Sequence, residues 1–453
     1  MKILIFIDLD ITIRHFLKTG AFAKIAKSHD LVYVFNEDST SLKKNVHTDL
    51  TTLNLSTIRY TSVPRKRMGY WYYLYVATVF KNLKGTDNYL PRRADQINVS
   101  GNKFVSIATF LSWPLAYPLF KLLLMVIMGA DKSVESVIKE EKPDLILHPS
   151  TLTGYYINEL TQISRKCRVP LVLLMNSWDN PSAKAVCTGL PDKLVVWGEQ
   201  TKEHARRYMK MPEDRIEIFG AAQFQVYRNS PRQSRQDLCN SFEVPTDKKI
   251  ILYAGAGSGR HETEYLNRLD IATAEGGLLS DCHILYRPHP WRGGLGDGEK
   301  NFFECSFNNV TMDPHMREYY IAEVTQPTGR VCMIDYSISN MLLTLADAVI
   351  SPLSTMLIEA MTLGKPILIF FPEENHDKEF RTDEVHFADV IAIPEVNVSY
   401  KSEEFVRVVK NLYSQIGDKA ISQRLQDQSD FFHVLEGPTY AERLETLLTS
   451  FNK

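Results

Sequence analysis

Two short stretches in the second half of the sequence place polar residues directly after a strand-like run of apolar residues. In the first, Arg287 and His289 follow the run, and in the second, small hydroxyl residues follow it and lead to Glu359. Ligands of open α/β sheets bind beyond the carboxyl ends of the strands, where a helix N-terminus also offers free N–H groups to an anion. Glu359 comes four residues after Thr355 and therefore lies on the same helical face. The spacing predicts a site for a phosphate-bearing ligand.

A glycine-rich stretch, residues 255–260, follows a third predicted strand over residues 249–254. Glycines let the backbone approach a pyrophosphate closely and point N–H groups at it. Their spacing differs from the dinucleotide pattern G-x-G-x-x-G, so NAD is not indicated, and an ordinary strand-to-helix turn is the alternative. The predicted ligand-binding residues of the three stretches are Gly255, Gly257, Ser258, Gly259, Arg260, Arg287, His289, Pro290, Ser351, Ser354, Thr355 and Glu359.

These residues also have plainer interpretations. His289 could be a strand-end histidine bonded to backbone, although Pro288 and Pro290 fix its backbone on both sides and favour a functional role. The hydroxyls at 354 and 355 could simply cap a helix, which is compatible with binding a ligand. Glu359 could be an exposed helix glutamate.

The stretches resemble the nucleotide-binding C-terminal domain of GT-B glycosyltransferases. The likeness is greatest to the bacterial surface-polysaccharide group with a His-Pro motif and a later Ser/Thr pair, which includes sialyl-, Kdo- and CDP-glycerol-type transferases. It implies a nucleotide-sugar donor, a glycan or lipid-linked acceptor, and no cofactor. It also implies that His289 binds phosphate and that Glu359 accepts hydrogen bonds from the ribose or base. A glycerophosphotransferase and a nucleotide-sugar epimerase of the same fold stay open as alternatives.

Asp179 is the predicted catalytic base of such a transferase. It lies in the loop S-W-D-N-P that follows a predicted strand over residues 170–175. Glycosyl transfer needs a carboxylate or an imidazole to take the proton of the acceptor hydroxyl. His148, at the end of another predicted strand, is the second catalytic candidate, and an Asx-turn that only shapes the loop is the alternative for Asp179. The reserve candidates are Asp8, Asp10, Asp383, Glu384 and His386.

A different reaction class is suggested by the segment D-L-D-I-T that starts at Asp8. It matches the D-x-D-x-T pattern of haloacid-dehalogenase-like phosphatases, in which the first Asp is the nucleophile and both carboxylates hold magnesium. The later Gly-Asp pattern that would complete that site is not recognised, and a short D-x-D arises easily by chance. No cluster of residues has convincing metal-ligand spacing, so no metal is predicted.

The elements that must position these residues alternate between strand and helix patterns, which predicts parallel sheets with right-handed crossovers. The predicted fold class is α/β, with two Rossmann-like domains facing a cleft (GT-B) that holds the active site. The expected domains are an acceptor-side domain over 1–229, a donor-binding domain over 230–435 and a C-terminal helix over 436–453 that crosses back. A helix is expected from Phe16 to Ala26 and a strand from Arg330 to Ile334.

The totals fit a two-domain globular enzyme. The chain has 453 residues, 44% hydrophobic and 23% charged, and its formal net charge of -2 argues against general binding to nucleic acid. Six scattered cysteines without a C-x-x-C pair indicate a reducing compartment, and only five apolar residues precede Asp8, too few for a signal peptide. The expected location is the cytoplasm, with the inner face of the cytoplasmic membrane as a further option.

The region 59–128 combines basic and aromatic residues with a long apolar stretch. Residues 59–93 contain eight positive charges and one negative charge, and residues 104–128 are mostly apolar but include Pro114, Pro118 and Lys121. A membrane span is disfavoured because two prolines and a lysine fall inside it. We favour buried helices with a solvated basic loop, and peripheral contact with a membrane is the alternative.

Overall fold

The computed structural model describes residues 1–36, 58–63, 69–83, 105–128, 131–152, 155–186, 189–255, 261–275, 279–290, 301–326, 332–371 and 385–451. The chain forms two compact units. Unit 1 comprises Met1–Ala222, Thr382–His386 and Phe432–Lys453, and unit 2 comprises Gln223–Arg381 and Phe387–Phe431.

Unit 1 is built on a seven-stranded sheet with the order β3-β2-β1-β4-β5-β6-β7, in which every paired strand is parallel. The strands are β1 (Lys2–Ile7), β2 (Asp30–Asn36), β3 (Tyr60–Val63), β4 (Leu145–Ser150), β5 (Leu171–Met175), β6 (Lys193–Val196) and β7 (Ile216–Ile218). Their apolar runs are buried, as expected for a parallel sheet covered on both faces. The strand order reverses between β1 and β4, which is where ligands of such sheets bind.

The helices of unit 1 connect these strands. They are α1 (Asp10–Thr12), α2 (Ile25–Ser28), α3 (Gly69–Leu83), α4 (Val105–Leu111), α5 (Ala116–Met128), α6 (Lys132–Glu141), α7 (Tyr155–Cys167), α8 (Glu199–Met209) and, at the C-terminal end, α17 (Tyr440–Thr449). Two π-helical turns, Ile13–Leu17 and Asn180–Lys184, follow β1 and β5. The continuous helix expected over 16–26 is wrong, because a turn containing Gly20 at φ +71 separates the first π-helical turn from α2.

The helices α3, α4 and α5 form a small layer with its own core. Leu74 and Ala77 of α3 pack against Tyr117 and Leu124 of α5. The favoured prediction of buried helices is wrong for the other side of this layer, where α4, α5 and the turn between them leave large apolar side chains exposed. Among the described residues, no helix is both long enough and apolar enough to cross a bilayer.

Unit 2 is built on a six-stranded parallel sheet with the order β10-β9-β8-β11-β12-β13. Its strands are β8 (Lys249–Ala254), β9 (Cys282–Arg287), β10 (Val310–Met312), β11 (Ala348–Ser351), β12 (Ile367–Phe370) and β13 (Asn397–Ser399). The order reverses between β8 and β11. The core around β8 and β9 mixes aliphatic residues with buried aromatic residues, among them Tyr253, Tyr265 and Tyr286.

The helices wholly or mostly in unit 2 are α9 (Arg235–Phe242), α10 (Glu262–Ala274), α11 (Arg317–Thr325), α12 (Tyr336–Leu345), α13 (Met356–Thr362), α14 (Val385–Ile391), α15 (Phe405–Ser414) and α16 (Lys419–Phe432). The strand expected over residues 330–334 is wrong where the structure describes it, since residues 332–334 form no regular element. They lead instead into α12, whose first turn is capped by the side chain of Asp335.

Candidate functional site

The carboxyl ends of three neighbouring strands in unit 2 are tied together by short hydrogen bonds. Ser351 at the end of β11 donates its hydroxyl to the carbonyl of Ala254 at the end of β8, at 2.8 Å. Gly255 donates its N–H to the carbonyl of Arg287 at the end of β9, at 2.9 Å. The predicted ligand stretches therefore begin at one edge of one sheet, where the strand order reverses.

Gly255 is required by its surroundings. A Cβ at this position would lie 2.7 Å from a carboxylate oxygen of Glu262, which is closer than real Cβ contacts. Glu262 is buried at the start of α10, and it accepts a hydrogen bond from the Tyr286 hydroxyl at 2.7 Å. The first glycine of the stretch therefore makes room for a buried carboxylate; Gly257, Ser258, Gly259 and Arg260 lie outside the described residues.

Glu359 is buried in α13 and is hydrogen-bonded to a tyrosine that the sequence analysis did not single out. The hydroxyl of Tyr227 donates to Oε2 of Glu359. Burial and the negative charge of Glu359 raise the pKa of Tyr227 well above its usual value, with Arg287 opposing the shift. Tyr227 is therefore held as a hydrogen-bond donor, and the exposed-glutamate interpretation of Glu359 is wrong.

Arg287 is buried and lies close enough to affect the titration of Tyr227. Its guanidinium contacts a carboxylate oxygen of Asp313 at 3.3 Å and donates to the Ser339 hydroxyl at 3.1 Å. An arginine side chain has five N–H donors, so these two contacts leave room for a further anionic partner. Tyr227 and Glu359 thus form a buried hydrogen-bonded pair on which the charge of Arg287 acts.

The remaining predicted residues of unit 2 lie on the segments that follow β9 and β11. His289 and Pro290 are half-buried just after β9. Ser354 and Thr355 are half-buried before α13, and the Ser354 hydroxyl accepts a hydrogen bond from the N–H of Met356 at 3.3 Å. Thr355 is the N-cap residue but makes no side-chain cap hydrogen bond, so the Ser354 contact shapes the turn before the helix, and the binding roles of both hydroxyls stay predictions.

Asp179 in unit 1 immediately precedes the second π-helical turn. One carboxylate oxygen contacts the Lys184 ammonium at 2.6 Å, and the other accepts a hydrogen bond from the Asn180 amide at 3.0 Å. The side chain of Asn180 also accepts from the N–H groups of Asn176 and Ser177, at 3.1 and 2.8 Å. Asn180 thus shapes the loop, and both carboxylate oxygens of Asp179 already have partners.

The electrostatic surroundings keep Asp179 ionised. Burial alone would raise its pKa, but the charges of Lys184 and His386 and hydrogen bonds from Lys184 and Ser177 outweigh burial and lower the pKa to about 2. An efficient general base has a pKa near the working pH. The ion pair with Lys184 therefore opposes protonation of Asp179.

His15 in the first π-helical turn belongs to the same neighbourhood. Its Nδ1 lies 2.8 Å from Oδ1 of Asn176, and the charges of both Arg14 and Lys184 act on it. Burial, followed by the charge of Arg14, lowers the pKa of His15 to about 3, so the ring is neutral at physiological pH. π-Helical turns are rare and often mark functional sites, and both turns of unit 1 contribute to this group.

His148 is fully buried in β4. Its Nδ1 donates to the carbonyl of Phe6 on β1 at 3.0 Å, and burial lowers its pKa to about 4. This contact favours a structural role, and a catalytic role for His148 stays a prediction. His386, a reserve candidate, lies edge-on to Trp178 with ring centres 4.7 Å apart.

Four carboxylates remain, Asp8 and Asp10 of the phosphatase alternative and the reserve candidates Asp383 and Glu384. Asp8 is buried directly after β1, and Asp10 begins α1. Asp383 and Glu384 lie outside the described residues. Within the described part of the chain, no group of three or more His, Cys, Asp or Glu residues could hold a metal ion.

Sequence reasoning missed Tyr227, His15, Asn176 and Lys184. Tyr227 meets Glu359 across 132 positions of sequence, and His15 meets Asn176 across 161. Such pairs have no local signal. Lys184 follows Asp179 by five positions, and only the π-helical turn, which the sequence does not signal, brings the two side chains together.

The structure is similar to two solved UDP-GlcNAc 2-epimerases. The enzyme from Neisseria meningitidis, solved bound to UDP-GlcNAc, has a TM-score of 0.54 and 12% identity, and the match covers 99% of this chain and 100% of that chain. The enzyme from Methanocaldococcus jannaschii has a TM-score of 0.55 and 14% identity, with the same coverage of 99% and 100%. No protein-family model matches the sequence, and no curated protein matches it either.

At this identity the likeness shows the fold. The predicted α/β class with two Rossmann-like domains of the GT-B type is confirmed by the two parallel sheets and by these neighbours. The chain thus has the GT-B type of fold that the sequence motifs predicted.

Proposed function

We propose that the protein is a glycosyltransferase that moves a sugar from a nucleotide-activated donor to a glycan or lipid-linked acceptor in the synthesis of a surface polysaccharide. The observation that carries the proposal is the buried pair of Glu359 and Tyr227 in unit 2, on which the charge of Arg287 acts. A buried carboxylate held by a tyrosine suits a ligand with hydroxyl donors, and Arg287 at the end of β9, although it contacts Asp313, keeps further N–H donors for a phosphate. The epimerase from Neisseria meningitidis, which shares the fold, was solved with a nucleotide sugar bound, and this supports the ligand class.

Donor binding is assigned to unit 2. Glu359 accepts hydrogen bonds from the ribose hydroxyls, and Tyr227 holds its carboxylate in place. Arg287 and His289 stabilise the phosphates and the negative charge that develops on the leaving nucleotide as its bond to the sugar breaks. The hydroxyls of Ser354 and Thr355 and the glycine-rich segment 255–260 complete the donor site.

Acceptor activation is assigned to unit 1. Asp179 takes the proton from the acceptor hydroxyl, whose oxygen forms the new bond to the anomeric carbon. The electron pair of the broken bond leaves with the nucleotide phosphate. Binding of the acceptor must displace the Lys184 ammonium from Asp179, because the pKa of Asp179 is about 2 while the ion pair is in place.

A nucleotide-sugar epimerase is the second candidate, because the two fold neighbours with the stated coverage are both epimerases. Such an enzyme would use the same donor site in unit 2 but would need no acceptor. It would return an isomeric nucleotide sugar rather than a glycoside.

The test begins with nucleotide binding. Purified protein is titrated with CMP, CDP, UDP, GDP and dTDP, and thermal unfolding is followed. A ligand that binds only the folded state stabilises it by about 2.7 kcal/mol at 100 times its dissociation constant. We expect one base to give this shift, and Glu359→Gln to weaken its affinity by about 10- to 100-fold, since it removes a charged hydrogen-bond acceptor.

The matched control is Glu323→Gln, a buried glutamate on α11 of the same unit. It should leave nucleotide affinity unchanged. The matching nucleotide sugar is then incubated with and without glycan or lipid-linked acceptors, and the products are separated. Acceptor-dependent transfer supports the transferase, an isomerised nucleotide sugar without acceptor replaces it with the epimerase, and no shift with any nucleotide overturns both.

A further inference from the structure

Asn340 of α12 holds the chain segment that carries Tyr227. Its side-chain amide donates to the carbonyl of Val226 at 3.0 Å and to the carbonyl of Asn229 at 2.8 Å. An asparagine amide has two N–H donors, so one segment uses both of them. The two carbonyls lie on either side of Tyr227 in sequence, and Asn340 is buried. The amide therefore fixes the backbone on both sides of that tyrosine.

The segment needs such a contact because its own hydrogen bonding is weak. Residues 222–228 form a 3-10 helix, whose hydrogen-bond geometry is poorer than that of an α-helix. The hydroxyl of Tyr227 must nevertheless meet Oε2 of Glu359 on α13, 132 positions later in the chain. A hydrogen bond between two side chains tolerates only small displacements of either partner. The position of the segment thus decides whether Glu359 keeps its donor.

The helix that carries Asn340 is fixed at both ends. The carboxylate of Asp335 accepts from an N–H of the first turn at 2.7 Å and caps it. The helix ends at the buried Leu345, and β11 begins three residues later. Asp347, between this helix and β11, accepts from the N–H of Ile250 on β8 at 2.8 Å. The helix therefore offers a fixed base for its side chains.

The neighbouring side chain on α12 contacts the other part of the donor site. Ser339 is buried, and its hydroxyl accepts from Arg287 at the end of β9, at 3.1 Å. Consecutive helical residues point about 100° apart, so one helix can hold two different elements. Ser339 contacts the arginine assigned to the phosphates, and Asn340 contacts the segment that serves Glu359. The same helix therefore sets the separation between Arg287 and Tyr227.

We propose that Asn340 is a positioning residue of the donor site, which fixes Tyr227 so that Glu359 is held for the ribose hydroxyls of the nucleotide. The inference rests on the proposed donor site of unit 2 and deepens it. A carboxylate with one oxygen bonded to Tyr227 keeps its other oxygen and its remaining lone pairs for the ribose. Loss of the Asn340 amide should therefore lower the affinity for a nucleotide, although Asn340 acts only through Tyr227.

The test is a double-mutant cycle of Asn340→Ala and Tyr227→Phe, measured with the nucleotide among CMP, CDP, UDP, GDP and dTDP that stabilises the unaltered protein. Each single change should weaken its binding by about tenfold, as expected when a hydrogen bond to a charged group is lost. The combined variant should bind within about twofold of Tyr227→Phe alone, because Asn340 acts through a hydroxyl that is already absent. The proposal is overturned if the two losses multiply, or if Asn340→Ala keeps its affinity and loses only stability.

A second measurement, nitration of Tyr227 by tetranitromethane, needs no nucleotide and is followed by mass spectrometry of peptides. Nitration requires the ionised phenol, and burial and the charge of Glu359 raise the pKa of Tyr227 well above its usual value. Tyr227 should be protected in the unaltered protein and react at least about tenfold faster in Asn340→Ala. Absence of nucleotide binding by the unaltered protein overturns the donor site itself, whereas equal nitration rates in a protein that binds nucleotide overturn the role of Asn340 alone.

The matched control is Asn397→Ala on β13 of the same unit. The amide of Asn397 also makes two hydrogen bonds, to the carbonyl of Ile367 at 3.3 Å and to the side chain of Gln415 at 2.7 Å. This variant should change neither nucleotide affinity nor the nitration of Tyr227. Asn340→Asp keeps the size of the side chain but offers no N–H to the two carbonyls, so it should behave like Asn340→Ala and decides the question if the alanine variant does not fold.

Discussion

The two sheets reverse their strand order at equivalent places, and each place holds a side chain that ties two strand ends together. In unit 1, His148 on β4 donates to the carbonyl of Phe6 on β1. In unit 2, Ser351 on β11 donates to the carbonyl of Ala254 on β8. Each side chain is the fourth residue of its strand and follows the last register pair, Ile5↔Leu147 or Tyr253↔Ile350. The same position of the same fold thus uses a titratable ring in one unit and a hydroxyl in the other.

The polar side chains of the two units also differ in their chemistry. In unit 1, the neutral ring of His15 and the amide of Asn176 lie near the ion pair of Asp179 with Lys184. Unit 2 gathers buried carboxylates that accept from tyrosines, with Arg287 beside them. Proton transfer suits the first set, and binding of hydroxyls and phosphates suits the second. The comparison therefore divides the proposed chemistry between the units, and four experiments test that division.

The largest effect is expected from Asp179→Asn in unit 1. The amide keeps the shape of the side chain but cannot accept the proton, so turnover in a transfer assay should fall by about 100- to 10,000-fold. Nucleotide affinity should be unchanged, the reverse of the pattern expected for Glu359→Gln. If Asp179→Asn instead loses nucleotide affinity, or keeps its turnover, the division between the units is broken.

Acid should act on unit 1 through His148. Its pKa is lowered from 6.5 to about 4 in the folded protein, so between these values the unfolded chain binds a proton that the folded chain does not. The stability contributed by the neutral ring is therefore present above pH 6.5 and is lost as pH falls toward 4, by about 1.4 kcal/mol per pH unit. Urea unfolding at pH 7.5, 6 and 5 measures this dependence.

His148→Asn isolates that contribution, because an amide can still donate to Phe6 but does not titrate. At pH 7.5, where the ring is neutral in both the folded and the unfolded chain, the decrease in the free energy of unfolding of the variant measures the change in packing alone. From pH 6 to pH 5 its stability should fall less steeply than that of the unaltered protein, by the equivalent of about one proton. If the unfolding free energies of the variant and the unaltered protein fall equally between pH 6 and pH 5, His148 does not contribute to the acid sensitivity of unit 1.

The sequence was informative where the structure is local. The strand end at 254 was predicted, and the ends at 287 and 351 lie one residue beyond the predicted ends at 286 and 350, because apolar runs of strand length stop there at glycine or polar residues; the loop around Asp179 was predicted in the same way. It failed where tertiary packing decided: β10 and β13 have three residues each and carry little periodicity, and the apolar residues 332–334 fit a strand pattern without forming one.

The sequence predicted several candidate residues of the site, but it did not predict the side chains that contact them. The ion pair of Asp179 with Lys184 arises from a π-helical turn, a local geometry that side-chain spacing does not reveal. The partner of Glu359 comes from a 3-10 helical segment, residues 222–228, far earlier in the chain. The exposure of apolar residues on α4 and α5 was not predicted, because an apolar helix has the same sequence pattern whether or not a core covers it.

Lys184→Met sharpens the assignment of the base. Loss of the ammonium leaves burial as the main influence on Asp179, so the pKa of Asp179 should rise by about 1 to 3 units from its value of about 2. A base works above its pKa, so the acid limb of the pH profile of kcat/KM should move to higher pH. Lys193→Met, which removes the 2.6 Å ion pair with Glu217 in the same unit, should leave the limb in place. A limb that does not move with Lys184→Met assigns the titration to another group.

The smallest effect is expected from Ser351→Ala, which separates the two roles that one hydroxyl could have. Ser351 was predicted to bind the donor, yet its hydroxyl is fully buried and donates to Ala254 at 2.8 Å. Removing one buried hydrogen bond should lower the free energy of unfolding by about 1 kcal/mol and leave nucleotide affinity unchanged. Ser354→Ala is the control, because this half-buried hydroxyl is assigned to the donor and its loss should weaken nucleotide binding. If Ser351→Ala weakens nucleotide binding and spares stability, its hydroxyl serves the ligand, and its equivalence to His148 in unit 1 fails.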